Sequence, residues 1–235
     1  AAHGSIEALA LDPQRHWLCA GTSNGHVALW DTRFHVRLQT WRTSNHARIR
    51  ACALHPTRKY VLTVATSAVL SLDLGTGAVL ETFDSREFGE HVPNITLEPC
   101  VDEAPSDTCL DGSYALCVGA DGYLSSPAES PRGWIITGGS DRVVRFWDLG
   151  RADTCTAFGS QIHGEFTMTH HRYMHTFQCV EAPTKRSPLH IHQQVRDAMG
   201  SLTSHQDTIT ALAVIEAPYR CIVAGDRSGV LCVWE

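Results

Sequence analysis

The chain has 235 residues, of which 43% are hydrophobic and 19% charged, with a formal net charge of -6. That length and apolar content allow one or two domains with a sizeable core, and the negative balance argues against a nucleic-acid backbone or an anionic membrane as the main partner. No apolar stretch approaches the roughly 20 residues of a membrane-spanning helix, no secretory signal opens the sequence, and nine cysteines without a C-x-x-C pair fit reduced thiols better than a disulfide framework.

The first readable element is Ile6-Glu7-Ala8-Leu9-Ala10-Leu11, in which apolar residues alternate with small or polar ones as a strand between two environments requires. The same pattern returns without gaps at Ile49-Arg50-Ala51-Cys52-Ala53-Leu54 and at Ile209-Thr210-Ala211-Leu212-Ala213-Val214. Asp12-Pro13 and His55-Pro56 close the first two, because proline has no N–H to continue a ladder. A second strand is expected at Trp17 to Ala20, Tyr60 to Thr63, Trp134 to Thr137 and Cys221 to Ala224. Turns rich in Gly, Ser and Asp follow at Thr22 to Gly25, Gly139 to Asp141 and Asp226 to Gly229.

A third apolar run then ends on an acid-tailed pair in every unit: Trp30-Asp31, Leu72-Asp73, Trp147-Asp148 and Trp234-Glu235. A weaker fourth strand is readable at Arg37 to Trp41, Val79 to Phe83 and Thr154 to Phe158. Four short antiparallel strands per unit with no helical period between them predict an all-β radial array, and the Trp-Asp ending is the signature of a WD-repeat blade. The expected fold is therefore a partial WD-repeat β-propeller of about four blades of four antiparallel strands. The blade units run over about 3–45, 46–83, 110–159 and 205–235.

Spacing agrees with that reading. His3 precedes Trp30 by 27 residues, His46 precedes Leu72 by 26, and His205 precedes Trp234 by 29. Resemblance to WD repeats implies that such a His bonds an acid in the later turn, with a Ser or Thr and the Trp completing the network. It fits His205 and Trp234 best. In the third unit Thr137, Asp141 and Trp147 fit, yet no His stands at the right distance. The structural repeat residues are thus Trp30, Asp31, Leu72, Asp73, Thr137, Asp141, Trp147, Asp148, His205 and Trp234.

Two long connections break the period. An acidic insertion covers 84–110 and a His-rich insertion covers 160–204, both far longer than common loops. The second contains a candidate hairpin, Phe166 to Val180, and a weak helical spacing at Ile191, Val195, Met199 and Leu202. A smaller excursion, Ala120 to Arg132, carries two Ser-Pro pairs.

Little in the sequence points to chemistry. Gly21-Thr22-Ser23-Asn24-Gly25 matches a G-x-S-x-G nucleophile elbow, but a strand rather than a helix follows, and sister units hold turns at the same place. His190 and His192 could share a strand face toward a metal, with His163, His170, His171, His175 and Cys179 nearby, yet the spacings match no compact zinc pattern. An exposed insertion is the simpler reading, so no catalytic, cofactor or metal residue is assigned. Asn94-Ile95-Thr96 would be a glycosylation acceptor only in a secreted protein. Arg48, Arg50, Arg58 and Lys59 form the densest basic group and read as the solvated face of a blade, with an acidic partner segment as the sharper alternative. Trp17, Trp41 and Trp134 are expected in packing between blades.

Gly21 to Gly25 continuing to Trp30-Asp31-Thr32-Arg33-Phe34, then Ala47-Arg48-Ile49-Arg50 and Leu54-His55-Pro56, resemble the C-terminal propeller of the phosphoinositide 3-kinase regulatory subunit 4 family. So do Gly138 to Leu149 and Asp226 to Trp234. The resemblance covers most blade segments and neither long insertion. It implies a non-catalytic interaction scaffold of the class III phosphatidylinositol 3-kinase complex. Expected partners are that complex's catalytic subunit and Beclin-type coiled-coil subunits. The expected location is cytoplasmic and peripheral at endosomal and autophagic membranes, with membrane association only through the complex and no nucleic-acid partner. It also implies a parent with an N-terminal kinase-like domain, whose motifs these residues lack. A WD-repeat adaptor of a ubiquitin ligase or chromatin complex is the alternative. With no initiator Met at Ala1 and with Trp234 closing a third strand, the expectation is the C-terminal part of a seven-bladed ring, whose edges would be sticky in isolation.

Overall fold

The computed structural model describes residues 4–43, 47–66, 68–84, 98–99, 112–120, 133–158, 164–170, 174–181, 205–215 and 221–234. The first blade contains β1 (Ile6–Asp12), β2 (Trp17–Thr22), β3 (His26–Asp31) and β4 (Val36–Arg42), and the second contains β5 (Ala51–Leu54), β6 (Val61–Ala65), β7 (Val69–Asp73) and β8 (Val79–Asp84). After the two-residue β9 (Glu98–Pro99), the third blade comprises β10 (Ser113–Gly119), β11 (Trp134–Gly139), β12 (Val144–Asp148) and β13 (Thr156–Phe158). A hairpin of β14 (Gly164–His170) and β15 (His175–Glu181) precedes the three described strands of the fourth blade, β16 (Ile209–Ile215), β17 (Cys221–Asp226) and β18 (Leu231–Trp234). Consecutive strands within each blade pair antiparallel. The chain is all-β, a partial propeller.

The repeat persists below the level of strands. In three blades the pairing of the first strand slips at the same place, between Ile6 and Ala8, Ser113 and Ala115, and Ile209 and Ala211. In the first three blades the residue just before the second strand sits in left-handed backbone: His16 at φ 57°, Tyr60 at φ 64° and Gly133 at φ 79°. Its carbonyl then accepts from the residue after the acid-tailed pair, Thr32, Leu74 or Leu149, at 2.8 to 3.1 Å. Tyr60 therefore lies ahead of β6, one position earlier in register than the sequence pattern suggests. Likewise Ile49 and Arg50 precede β5 instead of starting it.

In the first three blades the third strand ends on an acid whose carboxylate organises the turn beyond it. Asp31 accepts from the Arg33 amide at 2.8 Å, Asp73 from Gly75 and Thr76 at 2.9 and 2.7 Å, and Asp148 from Gly150 and Arg151 at 2.7 and 3.1 Å. These are Asx-type turns, in which a short side chain satisfies amides that leave the ladder. Asp12 and the ring of His55 serve the turn between first and second strands in the same way. One turn chemistry thus explains why the repeat carries acids at fixed places.

Neighbouring blades dock by a knob and a socket. Ile49 and Ile209 are fully buried. Each fills the space left by a glycine in the second strand of the preceding blade: a Cβ on Gly21 would stand 2.3 Å from Ile49 Cγ2, and one on Gly138 would stand 2.7 Å from Ile209 Cγ2. Burying each isoleucine contributes roughly 1.5–3 kcal/mol. Leucines and valines at 0–4% exposure, such as Leu62, Val64, Leu70 and Leu72, then continue the core between the first two blades.

Both long insertions return to blade edges. β9 pairs antiparallel with β4, so the acidic insertion touches the outer strand of the first blade. The hairpin expected at Phe166 to Val180 forms over β14 and β15, and β15 lies parallel to β8 of the second blade. Phe177 stacks on Phe83 with centroids 4.7 Å apart, while Phe83 and Phe166 meet the ring of Trp147 edge-on at 5.7 and 5.3 Å. The hairpin thereby clamps blade two to blade three. The helical spacing at Ile191 to Leu202 lies outside the described residues, as do His3, His46 and the acids at Glu87, Glu90, Asp102, Glu103, Asp107 and Asp111.

Candidate functional site

The repeat residues divide into two incomplete networks. In blade three, Trp147 is buried and its indole N–H donates to Thr137 at 2.9 Å. Asp141 does not meet a histidine there; its carboxylate pairs with the guanidinium of Arg145, which is itself buried. In blade four, His205 Nδ1 lies 3.3 Å from Asp226, and the His205 and Trp234 rings are 5.7 Å apart. The register puts Ala224 where Thr137 stands, so that blade has no hydroxyl for the indole. Asp226 also accepts from the amides of Gln206, Ser228 and Val230 at 2.9 to 3.0 Å. Burial works against its charge, but the hydroxyl of Ser228 and these amides outweigh burial and hold the carboxyl far below its usual range.

The second blade, which has Leu72 in place of Trp, holds a different polar core. His55 Nε2 lies 3.1 Å from Glu81, and Arg58 reaches the other oxygen of the same carboxylate at 3.1 Å. Both His55 and Glu81 are buried. Burial alone would raise the Glu81 pKa, yet His55 and Arg58 together bring it below the ordinary value. Sequence spacing did not single out this group, although His55-Pro56 stood at the position of Asp12-Pro13.

The basic cluster read from sequence is mostly structural. Arg50 lays its guanidinium 4.1 Å from the Tyr114 ring centroid and donates to the Thr66 carbonyl at 3.3 Å, tying blade two to blade three. Arg58 is engaged by Glu81, whereas Arg48 and Lys59 are exposed. Trp41 and Trp134 pack in the core as expected, at 6% and 5% exposure. Trp17 is only half-buried and faces Tyr60. The cysteines described are free thiols, and burial pushes those of Cys19, Cys52 and Cys155 up to about 12, which keeps them inert at neutral pH.

His170 and His175 face each other across the hairpin at the level of their directly paired backbones. No group of three or more metal-binding side chains occurs among the described residues. His163, His171, His190 and His192 lie outside them.

Among the described residues, exposed large apolar side chains concentrate on the first and fourth blades. On β1, Ile6, Leu9 and Leu11 are 65%, 59% and 58% exposed, and Trp30 on β3 is 37% exposed. On the fourth blade, Leu231 and Val233 are 73% and 59% exposed beside Ile215 at 44%. Val27, Leu29, Val144 and Phe146, the register equivalents of Leu231 and Val233 in other blades, are all buried. Gly225 matches Gly21 and Gly138, yet no isoleucine fills its socket; Leu231 Cδ2 at 3.2 Å is the nearest atom to a Cβ there.

A family model described as "WD domain, G-beta repeat" matches residues 1–31 and 130–148, which covers the first three strands of the first blade and the middle two of the third. With the repeated registers above, this defines the class: a partial β-propeller of WD type, an architecture suited to a scaffold or adaptor. Among curated proteins the chain is similar to a putative serine/threonine-protein kinase VPS15 from Komagataella pastoris, 22% identical over 252 residues and 99% of this chain. It is also similar to the serine/threonine-protein kinase VPS15 of Arabidopsis thaliana, 23% identical over 269 residues, and more locally to a probable vps15 kinase of Dictyostelium discoideum, 48% identical over 42 residues. The chain spans 19% and 18% of the length of the first two relatives. Among solved structures, the computationally designed Ika4 protein superposes with a TM-score of 0.51 at 13% identity, covering 98% of this chain and 91% of that one. At that identity the likeness concerns the fold alone.

Proposed function

We propose that this chain is a non-catalytic interaction scaffold of the kind found in the regulatory subunit of the class III phosphatidylinositol 3-kinase complex. It would support production of phosphatidylinositol 3-phosphate for autophagy and endosomal sorting. Its partners in this reading are the lipid-kinase catalytic subunit and Beclin-type coiled-coil subunits. Contact with endosomal or autophagic membranes runs through the complex, from the cytoplasmic side.

The observation that carries the reading is the pair of exposed apolar sheet faces around Leu9, Leu11 and Trp30 and around Leu231 and Val233; Trp147, Val144 and Phe146, the register counterparts of Trp30, Leu231 and Val233 in the third blade, are all buried. Contiguous apolar surface of this kind marks protein contact. Similarity along 99% of this chain to a fifth or less of the VPS15 kinases, at 22 and 23% identity, supports the choice of complex. Kinase activity named for those relatives is not assigned to these residues. Affinity capture of the tagged protein from cells tests the proposal. Recovery of a class III lipid kinase with a coiled-coil partner is expected, and a folded bait that repeatedly recovers neither overturns it.

A further inference from the structure

The contacts between neighbouring blades leave one knob and one socket over. Ile49 seats against Gly21 and Ile209 against Gly138. Between blades two and three both partners change together: register puts Ala65 at the socket and Ser113 at the knob. The Ser113 amide donates to the Thr66 carbonyl at 3.0 Å, just as that of Ile49 donates to Thr22 at 3.0 Å. A filled socket thus meets a small side chain, and an empty one meets an isoleucine. The same register gives the fourth blade an empty socket at Gly225 and the first blade a large knob at Ile6, which is 65% exposed. Among the described residues, a Cβ on Gly225 would meet Leu231 at 3.2 Å and Ala211 at 3.9 Å, both of its own blade.

The match extends across both faces. Blade four presents Ala211, Leu231 and Val233 at the positions where blade one turns Ala8, Val27 and Leu29 toward blade two. Blade one in turn carries Leu9, Leu11 and Trp30 where blade two meets it with Cys52, Leu54 and Leu72. Blade four therefore repeats the apolar surface that receives blade two, and blade one repeats the surface that is received. Neither surface is covered within one chain, since Leu9, Leu11, Leu231 and Val233 are all exposed.

We infer that the fourth blade of one copy receives the first blade of a second copy, with Ile6 entering the Gly225 socket, in a head-to-tail contact made twice in a two-copy ring. Head-to-tail contacts either close a ring or run on as an open chain. Closed propellers hold roughly four to eight blades, so two four-bladed copies close while three would overshoot. The inference rests on the scaffold reading in taking both faces as protein-binding, and it names their occupant where the other subunits are absent. Being intermolecular, the contact dissolves on dilution, which frees both faces.

Sedimentation velocity of the 235-residue chain from nanomolar to high micromolar concentration tests it. A reversible monomer–dimer equilibrium is expected. Gly225→Ala should weaken the dimer about tenfold, since the added methyl meets Ile6 as a Cβ on Gly21 would meet Ile49. Ile6→Ser should also weaken it about tenfold by removing the buried knob. The double variant recreates the pairing of Ala65 with Ser113, so its loss should fall well short of the product of the two. Both positions are open in the single chain, so each variant should melt within a few degrees of wild type. If either fails to fold, Leu231→Asp, at a residue 73% exposed, carries the test by abolishing the dimer. A monomer at every concentration, open-ended polymers, losses that multiply strictly, or a dimer indifferent to these substitutions overturns the inference. A chain that stays monomeric while affinity capture recovers the lipid-kinase complex leaves the scaffold reading standing and removes the two-copy ring. A variant-sensitive dimer alongside a folded bait that captures neither subunit does the reverse.

Discussion

Replacing Gly21 by alanine should destabilise the chain through one contact. The new Cβ would stand 2.3 Å from Ile49 Cγ2 and 2.8 Å from Ile49 Cβ, where carbon atoms prefer 3.5–4.0 Å. Ile49 cannot retreat, because it is fully buried at the start of the second blade. Overpacking of this size costs about 1–3 kcal/mol. Ile49→Ala alone costs about 2–5 kcal/mol by opening a cavity. In the double variant the new methyl partly fills that cavity, so the two losses should fall short of their sum by roughly 1–2 kcal/mol. Gly225→Ala is the control, since its nearest neighbour is the flexible end of Leu231 at 3.2 Å, and its cost should stay near 0.5 kcal/mol. Urea denaturation followed by tryptophan fluorescence reads all four variants. Strict additivity of the Gly21 and Ile49 changes, or equal costs at Gly21 and Gly225, would refute knob-and-socket docking of the blades.

Phe177→Ala should cost about 3–5 kcal/mol, because it removes the ring stacked on Phe83; limited proteolysis should then cut the 164–181 hairpin first. Ala224→Thr supplies the hydroxyl that Thr137 gives Trp147, and a gain of about 0.5–1.5 kcal/mol is expected in thermal unfolding. Glu81 has its pKa lowered in the folded chain, so its contribution is present above the unfolded value of about 4.5 and is lost as pH falls below it. Glu81→Gln should therefore be the less stable protein at pH 7 and show a flatter acid limb, measured as the urea midpoint between pH 7 and pH 3.

Much of the blade order was legible because local chemistry repeats. Ile6, Ile49 and Ile209 mark first strands, and Asp31, Asp73 and Asp148 end third strands in turns that need a carboxylate. What escaped was decided by distant parts of the chain. Phe83 and Phe177 are 94 residues apart in sequence, and nothing around either announces parallel pairing of β8 with β15. His55, Arg58 and Glu81 converge only once four strands are in register. Asp141 looked like a partner for histidine because spacing cannot reveal that Arg145, four residues on, reaches it first. Tyr60 read as a strand residue since an aromatic before Val61 fits a β pattern, and only backbone geometry distinguishes it.

Hydroxyl-radical footprinting of the chain alone and within the captured complex tests the scaffold account most directly. Leu9, Leu11, Leu231 and Val233 should be modified readily in the isolated chain and protected in the complex, while core residues such as Leu62 and Ile135 stay unmodified in both. Unchanged modification of the four exposed residues in a complex that contains the folded chain would contradict the account.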